Sequence, residues 1–256
     1  VCSKDYLDLV ALSSVADVVP LVDENRVFVR EGTRQISEST RCGIRALKQV
    51  LGITGVCSSS VIGFRLAPVI NAAGRLAHAA LGVSLLTNES DIDALSIAQK
   101  LDQLNRQRRK IEQEIFEEAQ AYAEKDSEAP VIVVGKHGWH MGVVGIVASR
   151  LVERFHRPAV VVAFDKNGLG KGSARSVSGY NLYQALACCQ EHLLGFGGHP
   201  AAAGVTVSLE AFSNFRTKMY EMVAGSISEE AKSPTLEIDA EVNLLDLSPQ
   251  LLRELS

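Results

Sequence analysis

A long helical pattern over residues 89–126 constrains the fold of this chain more than any other feature of its sequence. Leu101, Leu104, Ile111 and Ile115 recur at steps of three, four or seven and form one apolar stripe. Charged residues fill the other faces at spacings typical of (i, i+4) ion pairs on a solvated helix. A helix of this length and character predicts a connector between two lobes.

The residues after this helix predict an α/β lobe over residues 127–228. Apolar runs at 131–135 and 158–164 are typical of buried strands, and residues 143–155 between them indicate a helix. A strand, a helix and a strand at this spacing predict a βαβ unit within a mixed sheet. Because such sheets bind ligands at the carboxyl ends of their strands, we expect a binding site there.

The flanking residues complete the predicted organisation. Residues 1–88 contain helical segments, among them 41–57, and predict a mainly helical first lobe. Residues 229–256 begin with a polar linker and continue with an alternating strand pattern at 235–242, which we assign to the start of a following domain. Because structured patterns reach both ends, we expect the chain to be a fragment of a longer protein.

Composition argues against several classes of function. The net charge of −4 argues against a surface coated with cations for non-specific nucleic-acid binding, and 5% aromatic residues argue against a broad base-stacking platform. The five cysteines include no CxxC or Cys/His metal-binding spacing, which indicates reduced thiols in a cytoplasmic protein. No apolar run is long enough for a membrane span, so we expect no membrane contact.

A stretch of small residues, GFGGHPAAAG at residues 195–204, is the first candidate binding element. Gly197 and Gly198 leave the backbone bare, and exposed N–H groups in such a loop can form a concave anion site. His199 would add one titratable donor to that cradle. The same stretch also fits a tight turn packed against a helix of small residues.

Two further segments carry residue types that bind phosphate. Residues 170–176 are expected to form a loop in which Ser173 and Arg175 accompany glycines, and this loop either binds a phosphate or is a charged hairpin. Arg75 follows Asn71 in another small-residue segment, where its planar fork would suit a phosphate. Arg75 fits equally well as a partner of an acidic neighbour on the surface.

Polar residues in unusual surroundings supply the remaining candidates. Asp17 interrupts an uncharged stretch, where a carboxylate must be paired, hydrogen-bonded, bound to a metal or placed at a helix N-cap. Arg108 interrupts the apolar stripe of the long helix, and Asn105, Gln107 and Arg108 could face a groove between the lobes. His137 and His140 could bind a metal, but no acidic residue is close in sequence, and a solvated His137 fits as well.

Six segments, taken together, resemble the motifs of one family in that family's order. They are LDLVALSSVADVVPL, GFRLAPVINAAGRL, LDQLNRQRRKIE, WHMGVVGIVASRLVERFHRPAVV, KGSARS and GFGGHPAAAG. Over essentially its whole length, the chain resembles the second half of the RecJ exonucleases of the DHH phosphoesterase superfamily. The last three segments resemble the accessory domain called DHHA1. The resemblance implies an α/β fold in which the helical remainder of a DHH lobe is joined by the long helix to a DHHA1 lobe.

The resemblance also implies an activity, namely 5′-to-3′ hydrolysis of phosphodiesters in single-stranded DNA with Mn²⁺ or Mg²⁺, with two ions in the complete enzyme. Asp17 matches a family aspartate that ligates metal, and a carboxylate suits such a hard cation. Arg75, Gln107, Ser173 and Arg175 match positions expected to hold the 5′ phosphate or the nearby backbone. The implied groove between the lobes admits one strand and excludes a duplex by its width.

The other matched residues complete the implied site. His199, with Gly197 and Gly198, matches a glycine-histidine motif that approaches the scissile bond from the opposite lobe, and we assign His199 a catalytic role. His140 matches a family histidine, and we place it with Asn71 among the substrate-binding residues. We expect the protein to be monomeric.

The chain also departs from the family pattern. The Asp-His-His motif and the aspartates before it are absent, so most metal ligands are missing, and we expect hydrolysis only when an amino-terminal half is supplied. Ala77 and His78 replace the acidic residue that follows the NAAGRL segment in the family. Two alternatives stay open: a non-catalytic module that binds single strands or phosphate, and a phosphoesterase for short oligonucleotides or cyclic dinucleotides.

Overall fold

The chain folds into a helical lobe and a sheet lobe that are joined by one long helix, which confirms the predicted fold class. The computed structural model describes residues 3–226, 236 and 238–255. The helices and strands are, in chain order, α1 (Leu7–Ala16), α2 (Asp23–Ser37), α3 (Cys42–Val50), α4 (Ser59–Val61), a π-helical turn (Ile62–Leu66), α5 (Ala67–Leu76), α6 (Ala80–Leu86), α7 (Asp91–Lys125), β1 (Ile132–His137), α8 (Val144–Phe155), β2 (Ala159–Phe164), β3 (Leu169–Arg175), α9 (Leu182–Ala187), β4 (Gly195–His199), β5 (Ala202–Ser208), α10 (Leu209–Val223) and α11 (Pro249–Leu255). Short 3-10 helices occupy Ser3–Tyr6, Gln190–His192 and Leu244–Asp246.

The long helix α7 is continuous over 35 residues, as its apolar stripe predicted. The Ser90 side chain caps the first turn by accepting a hydrogen bond from the backbone N–H of Asp93 (3.3 Å). At the other end, the Arg157 guanidinium donates to the carbonyl oxygens of Asp126 (3.1 Å) and Ala129 (2.6 Å). Because Arg157 follows α8, this contact fixes the end of α7 to the sheet lobe.

An aliphatic core holds the helical lobe together. The helices α1, α2, α3, α5 and α6 and the first half of α7 contribute to it. Its large, fully buried side chains include Ile36, Leu47, Leu66, Leu85 and Leu101. Full burial of one such side chain contributes about 1.5–3 kcal/mol to the free energy of unfolding.

One ion pair is buried at the edge of this core. Arg41 Nε donates to Asp8 Oδ2 at 2.8 Å and Arg41 Nη2 donates to Asp8 Oδ1 at 3.3 Å, while the Asp8 side chain is only 8% exposed. The hydrogen bonds to Asp8 raise the pKa of Arg41. The pair joins α1 to the residue that precedes α3, a link that no sequence pattern predicted.

The sheet has five strands in the order β1-β2-β3-β5-β4. The strands β1 and β2 are parallel and α8 connects them, which confirms the predicted βαβ unit, and the other pairs are antiparallel. One face packs on α9 and α10, where Phe215 and Met219 are buried. On the opposite face, α7 and α8 cover β1 and β2, where Leu151 and Val161 are buried.

Two segments that we predicted as loops are strands. Residues 170–175 lie in β3, which pairs with β2 and β5, so the predicted loop is wrong, whereas the alternative of a hairpin agrees with the antiparallel β2–β3 pair. Residues 195–204 form most of the β4–β5 hairpin, with its turn at Pro200 and Ala201, and do not form a turn packed against a helix. Glycine and alanine offer little side-chain surface to a sheet, so they rarely indicate strands in a sequence.

Other expectations differ in detail. The helix expected over residues 41–57 ends at Val50. Of the strand expected at 235–242, Leu236 and residues 238–242 lie in no strand, and positions 235 and 237 lie outside the described residues. Cys2 also lies outside them, and the described cysteines are free thiols: Cys42, Cys57, Cys188 and Cys189. In the part of the chain that the structure describes, no helix has both the length and the apolar character that crossing a bilayer requires.

We predict that Arg41→Ala lowers the free energy of unfolding by about 3 kcal/mol, because it leaves the Asp8 carboxylate buried without its partner. Urea denaturation followed by circular dichroism measures the change. Arg34→Ala is the matched control, since 75% of the Arg34 side chain is exposed and it reaches Glu31 only at 3.9 Å. We expect the control to change the free energy by less than about 0.5 kcal/mol, and equal losses in both variants would contradict the prediction.

Candidate functional site

The face of the sheet beneath α8 is covered only in part. Over β4 and β5 this face stays open, and a Cβ atom placed on Gly197 would meet nothing within 4 Å. We call this face of β3, β5 and β4 the bare floor, and α8 borders it at Ser173 and Arg175. Its residues are Lys171, Ser173, Arg175, Gly195, Gly197, His199, Ala202, Gly204 and Thr206. Small side chains make the floor shallow, so a ligand could approach the backbone closely.

The strand register brings four predicted site residues onto the bare floor, namely Ser173, Arg175, Gly197 and His199. Arg175 in β3 lies opposite Ala202 in β5, and Ala202 lies opposite His199 in β4. Directly opposed residues of antiparallel strands share one face, and Ser173 shares it too because it lies two residues before Arg175. Since neighbouring strands are about 4.8 Å apart, the backbones of Arg175 and His199 are about 10 Å apart.

Ser173 and Arg175 also adjoin the first turn of α8. A Cβ atom on Gly145 would lie 3.2 Å from Ser173 Oγ and 3.2 Å from Arg175 Nη2. Val143 is the N-cap residue of α8, and its side chain cannot accept a hydrogen bond. The N–H groups in the first turn of this 12-residue helix therefore have no side-chain acceptor at the N-cap. A helix N-terminus flanked by a hydroxyl and a guanidinium is a suitable environment for an anion.

Arg75 reaches the same place from the helical lobe. It lies in the last turn of α5, and its Nη1 donates to the carbonyl oxygen of Gly142 (3.3 Å), two residues before α8. Burial lowers the pKa of Arg75, the carboxylate of Glu112 acts in the opposite direction, and the charge of Arg175 lowers the pKa further. Burial also lowers the pKa of Arg175.

No carboxylate lies within ion-pair distance of Arg75 or Arg175 among the described residues. Among the described residues, Arg75 therefore does not form the surface ion pair that was the alternative to phosphate binding. Two neighbouring cations in partly desolvated surroundings repel each other, and a bound anion would relieve that repulsion.

Glu112 balances the other positive charges at this junction. Its side chain is 12% exposed and accepts hydrogen bonds from Arg108 in α7 (2.5 Å) and from Arg150 in α8 (3.1 Å). Arg108 also donates to Asn105 Oδ1 (2.8 Å), and Arg150 stacks on Phe116 at 3.8 Å from the ring centre. We expected Glu112 to belong to a solvated helix face, but α8 covers it.

The structure places Asp17 on the surface at the end of α1. It is the C-cap residue of that helix and is exposed, so the N-cap alternative is wrong and the carboxylate is not in buried, apolar surroundings. Among the residues that the structure describes, no group of three or more His, Cys, Asp and Glu side chains could hold a metal ion. Asp17 therefore does not form a metal site with other described residues, and its role as one ligand stays a prediction.

The other predicted residues lie in α5, in α7 and in the turn before α8. Asn71 is exposed one turn before Arg75 in α5, at the rim of an apolar groove against α1. Gln107 is exposed on α7. His140 lies in the turn before α8, where its Nδ1 accepts a hydrogen bond from the backbone N–H of Gly142 (3.1 Å), beside Arg75. The binding roles of these residues stay predictions.

His199 is exposed at the end of β4, and its ring orientation is fixed by one contact. Its Nδ1 accepts a hydrogen bond from the backbone N–H of Ala201 (3.4 Å). In neutral imidazole the other nitrogen then carries the proton, so Nε2 can act as a donor toward a ligand on the bare floor. The catalytic role of His199 stays a prediction.

Sequence reasoning included Lys171 as one of two cations in residues 170–176 but missed Thr206, which lies opposite Lys171 on the bare floor. Lys171, Ser173 and Arg175 alternate with small residues along β3, so a period of two was present but was read as a loop. Gly145 was missed as well, because a single glycine inside a helix carries no signal of what packs against it.

Comparison with known proteins gives the chain's relatives. The model of the DHHA1 domain family matches residues 128–225. Over 255 residues the chain is 39% identical to the single-stranded-DNA-specific exonuclease RecJ of Bacillus subtilis, a match that covers 98% of this chain and 32% of that protein. It is 40% identical over 230 residues to the RecJ of Escherichia coli, covering 86% of this chain and 40% of that protein.

Solved structures of similar proteins agree with these relatives. The structure of RecJ from Thermus thermophilus in complex with Mg²⁺ superimposes with a TM-score of 0.80 at 36% identity, over 87% of this chain and 35% of that one. A structure of exonuclease RecJ bound to manganese gives 0.78 at 34% identity, over 96% and 59%. The chain thus spans about a third to two fifths of the length of the curated relatives described above.

We predict that Glu112→Gln lowers the free energy of unfolding by about 2 kcal/mol, because it removes the negative charge between two arginines that are largely screened from water. Urea denaturation again gives the value. Glu114→Gln is the matched control, since Glu114 is 60% exposed and reaches Lys110 only at 4.0 Å. A variant of Glu112 that is as stable as this control would refute the assigned charge balance.

Proposed function

We propose that this chain, which belongs to the RecJ family and carries its DHHA1 domain, supplies the strand-binding groove of a metal-dependent exonuclease for single-stranded DNA. In this proposal the strand enters by its 5′ end and its phosphodiesters are hydrolysed in the 5′-to-3′ direction. Catalysis requires residues beyond these 256.

The observation that supports the proposal most directly is the meeting of Arg75, Ser173 and Arg175 beside the first turn of α8. A terminal 5′ phosphate carries more negative charge than an internal phosphodiester and exposes three oxygens. Two guanidinium groups, a hydroxyl and the N–H groups of a helix start suit such a group better than a singly charged link. We assign this cluster as the 5′-phosphate site.

The bare floor gives the strand a path away from that site. Glycines at positions 197 and 204 leave its surface shallow, while Lys171 and Thr206 offer a cation and a hydroxyl along it. His199 lies across two strands from Arg175, about one to two nucleotides further along an extended chain. In our proposal its Nε2–H donates to the phosphate at which the strand is cut.

The metal ions of the proposed enzyme need ligands from outside the described residues. Asp17 is an exposed carboxylate, a ligand type that suits Mn²⁺ or Mg²⁺, but the described residues place no second and third ligand with it. We therefore assign Asp17 as one contributed ligand only. The solved RecJ structures that resemble this chain were determined with Mg²⁺ or with Mn²⁺.

A second candidate function follows from the lack of a metal-ion cluster within the described part of the chain. On that observation, the chain could be a module that binds a single strand without cutting it. A phosphoesterase for short oligonucleotides or cyclic dinucleotides is a third candidate. Such an enzyme would differ from the exonuclease in the substrate length that it prefers. It would hydrolyse a strand long enough to fill the bare floor no faster than a short oligonucleotide.

We predict that Arg175→Ala weakens binding of a 5′-phosphorylated single strand at least about tenfold, because a charge-assisted contact is lost. Fluorescence anisotropy with a labelled oligonucleotide of about ten nucleotides measures the dissociation constant, and the same strand with a 5′ hydroxyl tests the terminal phosphate. Arg106→Ala is the matched control, since Arg106 is exposed and pairs with Asp102. Binding that does not change with Arg175→Ala or with Arg75→Ala would exclude the assigned phosphate site.

We also predict that the chain alone releases no nucleotides from this strand in Mn²⁺, because the described residues hold no cluster of metal ligands. Adding an amino-terminal half from a full-length relative should restore release from the 5′ end, and Asp17→Ala should abolish the restored activity. Hydrolysis by the chain alone would overturn the proposal. Strand binding without hydrolysis in the combined protein would favour the non-catalytic module.

A further inference from the structure

We infer that Glu118 is a positioning residue for Arg75, acting through Trp139 and the turn at residues 140–142. This inference rests on the proposed function, since it concerns how one arginine of the assigned 5′-phosphate site is held. Four contacts connect Glu118 to Arg75, and each consists of hydrogen bonds or close packing.

The first contact joins α7 to the end of β1. Glu118 Oε2 accepts a hydrogen bond from the indole nitrogen of Trp139 at 2.8 Å and from Lys136 Nζ at 2.9 Å. These two bonds lower the pKa of Glu118, the bond from Lys136 more than that from Trp139. The carboxylate therefore stays ionised near neutral pH and is an acceptor for the indole.

The second contact anchors the indole itself. Trp139 is 8% exposed and packs in the core that α7, α8 and β1 share, with Phe116 and Val144 in the same cluster. Gly138, just before it, has a left-handed backbone (φ 84°), which turns the chain sharply after β1. The direction in which the following turn leaves the sheet is thus set at Trp139.

The third contact closes the turn. The backbone N–H of Val143 donates to the carbonyl oxygen of His140 at 2.9 Å, and the N–H of Gly142 donates to His140 Nδ1 at 3.1 Å. Because these two hydrogen bonds link His140 to Gly142 and Val143, we expect the turn to behave as a rigid unit that shifts when Trp139 shifts. It leads directly into the first turn of α8.

The fourth contact joins the turn to Arg75. The carbonyl oxygen of Gly142 accepts a hydrogen bond from Arg75 Nη1, and a Cβ atom on Gly142 would lie 2.1 Å from the backbone oxygen of Arg75. The two backbones therefore touch, and the turn cannot shift toward α5 without displacing Arg75. A long arginine side chain loses rotamer entropy when it is fixed, so a fixed acceptor matters for its placement.

The test uses Glu118→Ala, with Glu117→Ala as the matched control. The control removes the same charge from the same helix, but the Glu117 carboxylate is bonded to Gln113 and not to Trp139. Trp139 is the only tryptophan of the chain, so its fluorescence reports on this turn alone. We expect Glu118→Ala to increase acrylamide quenching of Trp139 and to weaken binding of the 5′-phosphorylated strand about fivefold, the effect of one lost hydrogen bond. Glu117→Ala should change neither.

A double-mutant cycle separates positioning from a general structural effect. In the Arg75→Ala background, we expect Glu118→Ala to weaken binding less than about twofold, because its route through Arg75 is gone. An equal loss in both backgrounds would overturn the inference, as would unchanged quenching. Trp139→Phe, which keeps a ring but removes the donor, should reproduce the binding loss, and Lys136→Ala should not.

The outcomes also distinguish this inference from the proposed function. Strand binding that does not depend on Arg75 at all would refute the assigned phosphate site, and the inference would fall with it. Binding that depends on Arg75 but shows no coupling to Glu118 would refute the inference alone.

Discussion

The junction between the two lobes depends on one carboxylate, that of Glu112, which is surrounded by positive charge. It bonds to Arg108 and Arg150 and acts on Arg75 only through its field. One negative charge cannot neutralise three positive ones, so the junction keeps a net positive charge beside the start of α8. That imbalance is the electrostatic basis of the proposed 5′-phosphate site in a chain whose overall charge is −4.

The half-covered sheet supplies the shape that accompanies this charge. Over β1 and β2, aliphatic side chains such as Ile132, Val134 and Val161 pack against α7 and α8 and attach the lobe to the long helix. Over β4 and β5 this face carries mostly glycine and alanine, and none of the helices that the structure describes covers Gly197. The same sheet thus forms a core over β1 and β2 and, under the proposed function, a binding surface over β4 and β5.

Features with long-range periodicity could be predicted from the sequence. The stripe of α7 and the strand-helix-strand pattern extend over many residues, so local irregularities do not obscure them. The β4–β5 hairpin could not be predicted, because glycine has no side chain to show which face is buried. The pattern predicted ion pairs on a solvated face of α7, but only the packing of α8 shows that Arg108 and Glu112 form a covered pair. The bond between Asp8 and Arg41 joins residues 33 positions apart, which no local pattern encodes.

The continuity of α7 has a consequence for how the two lobes can move. Its 35 residues include neither glycine nor proline, and its ends are held by different lobes. Such a rod resists sharp bending, so the lobes cannot swing apart like a clamp about a hinge in its middle. Under the proposed function, a strand would therefore bind to two lobes whose separation is already set before it arrives.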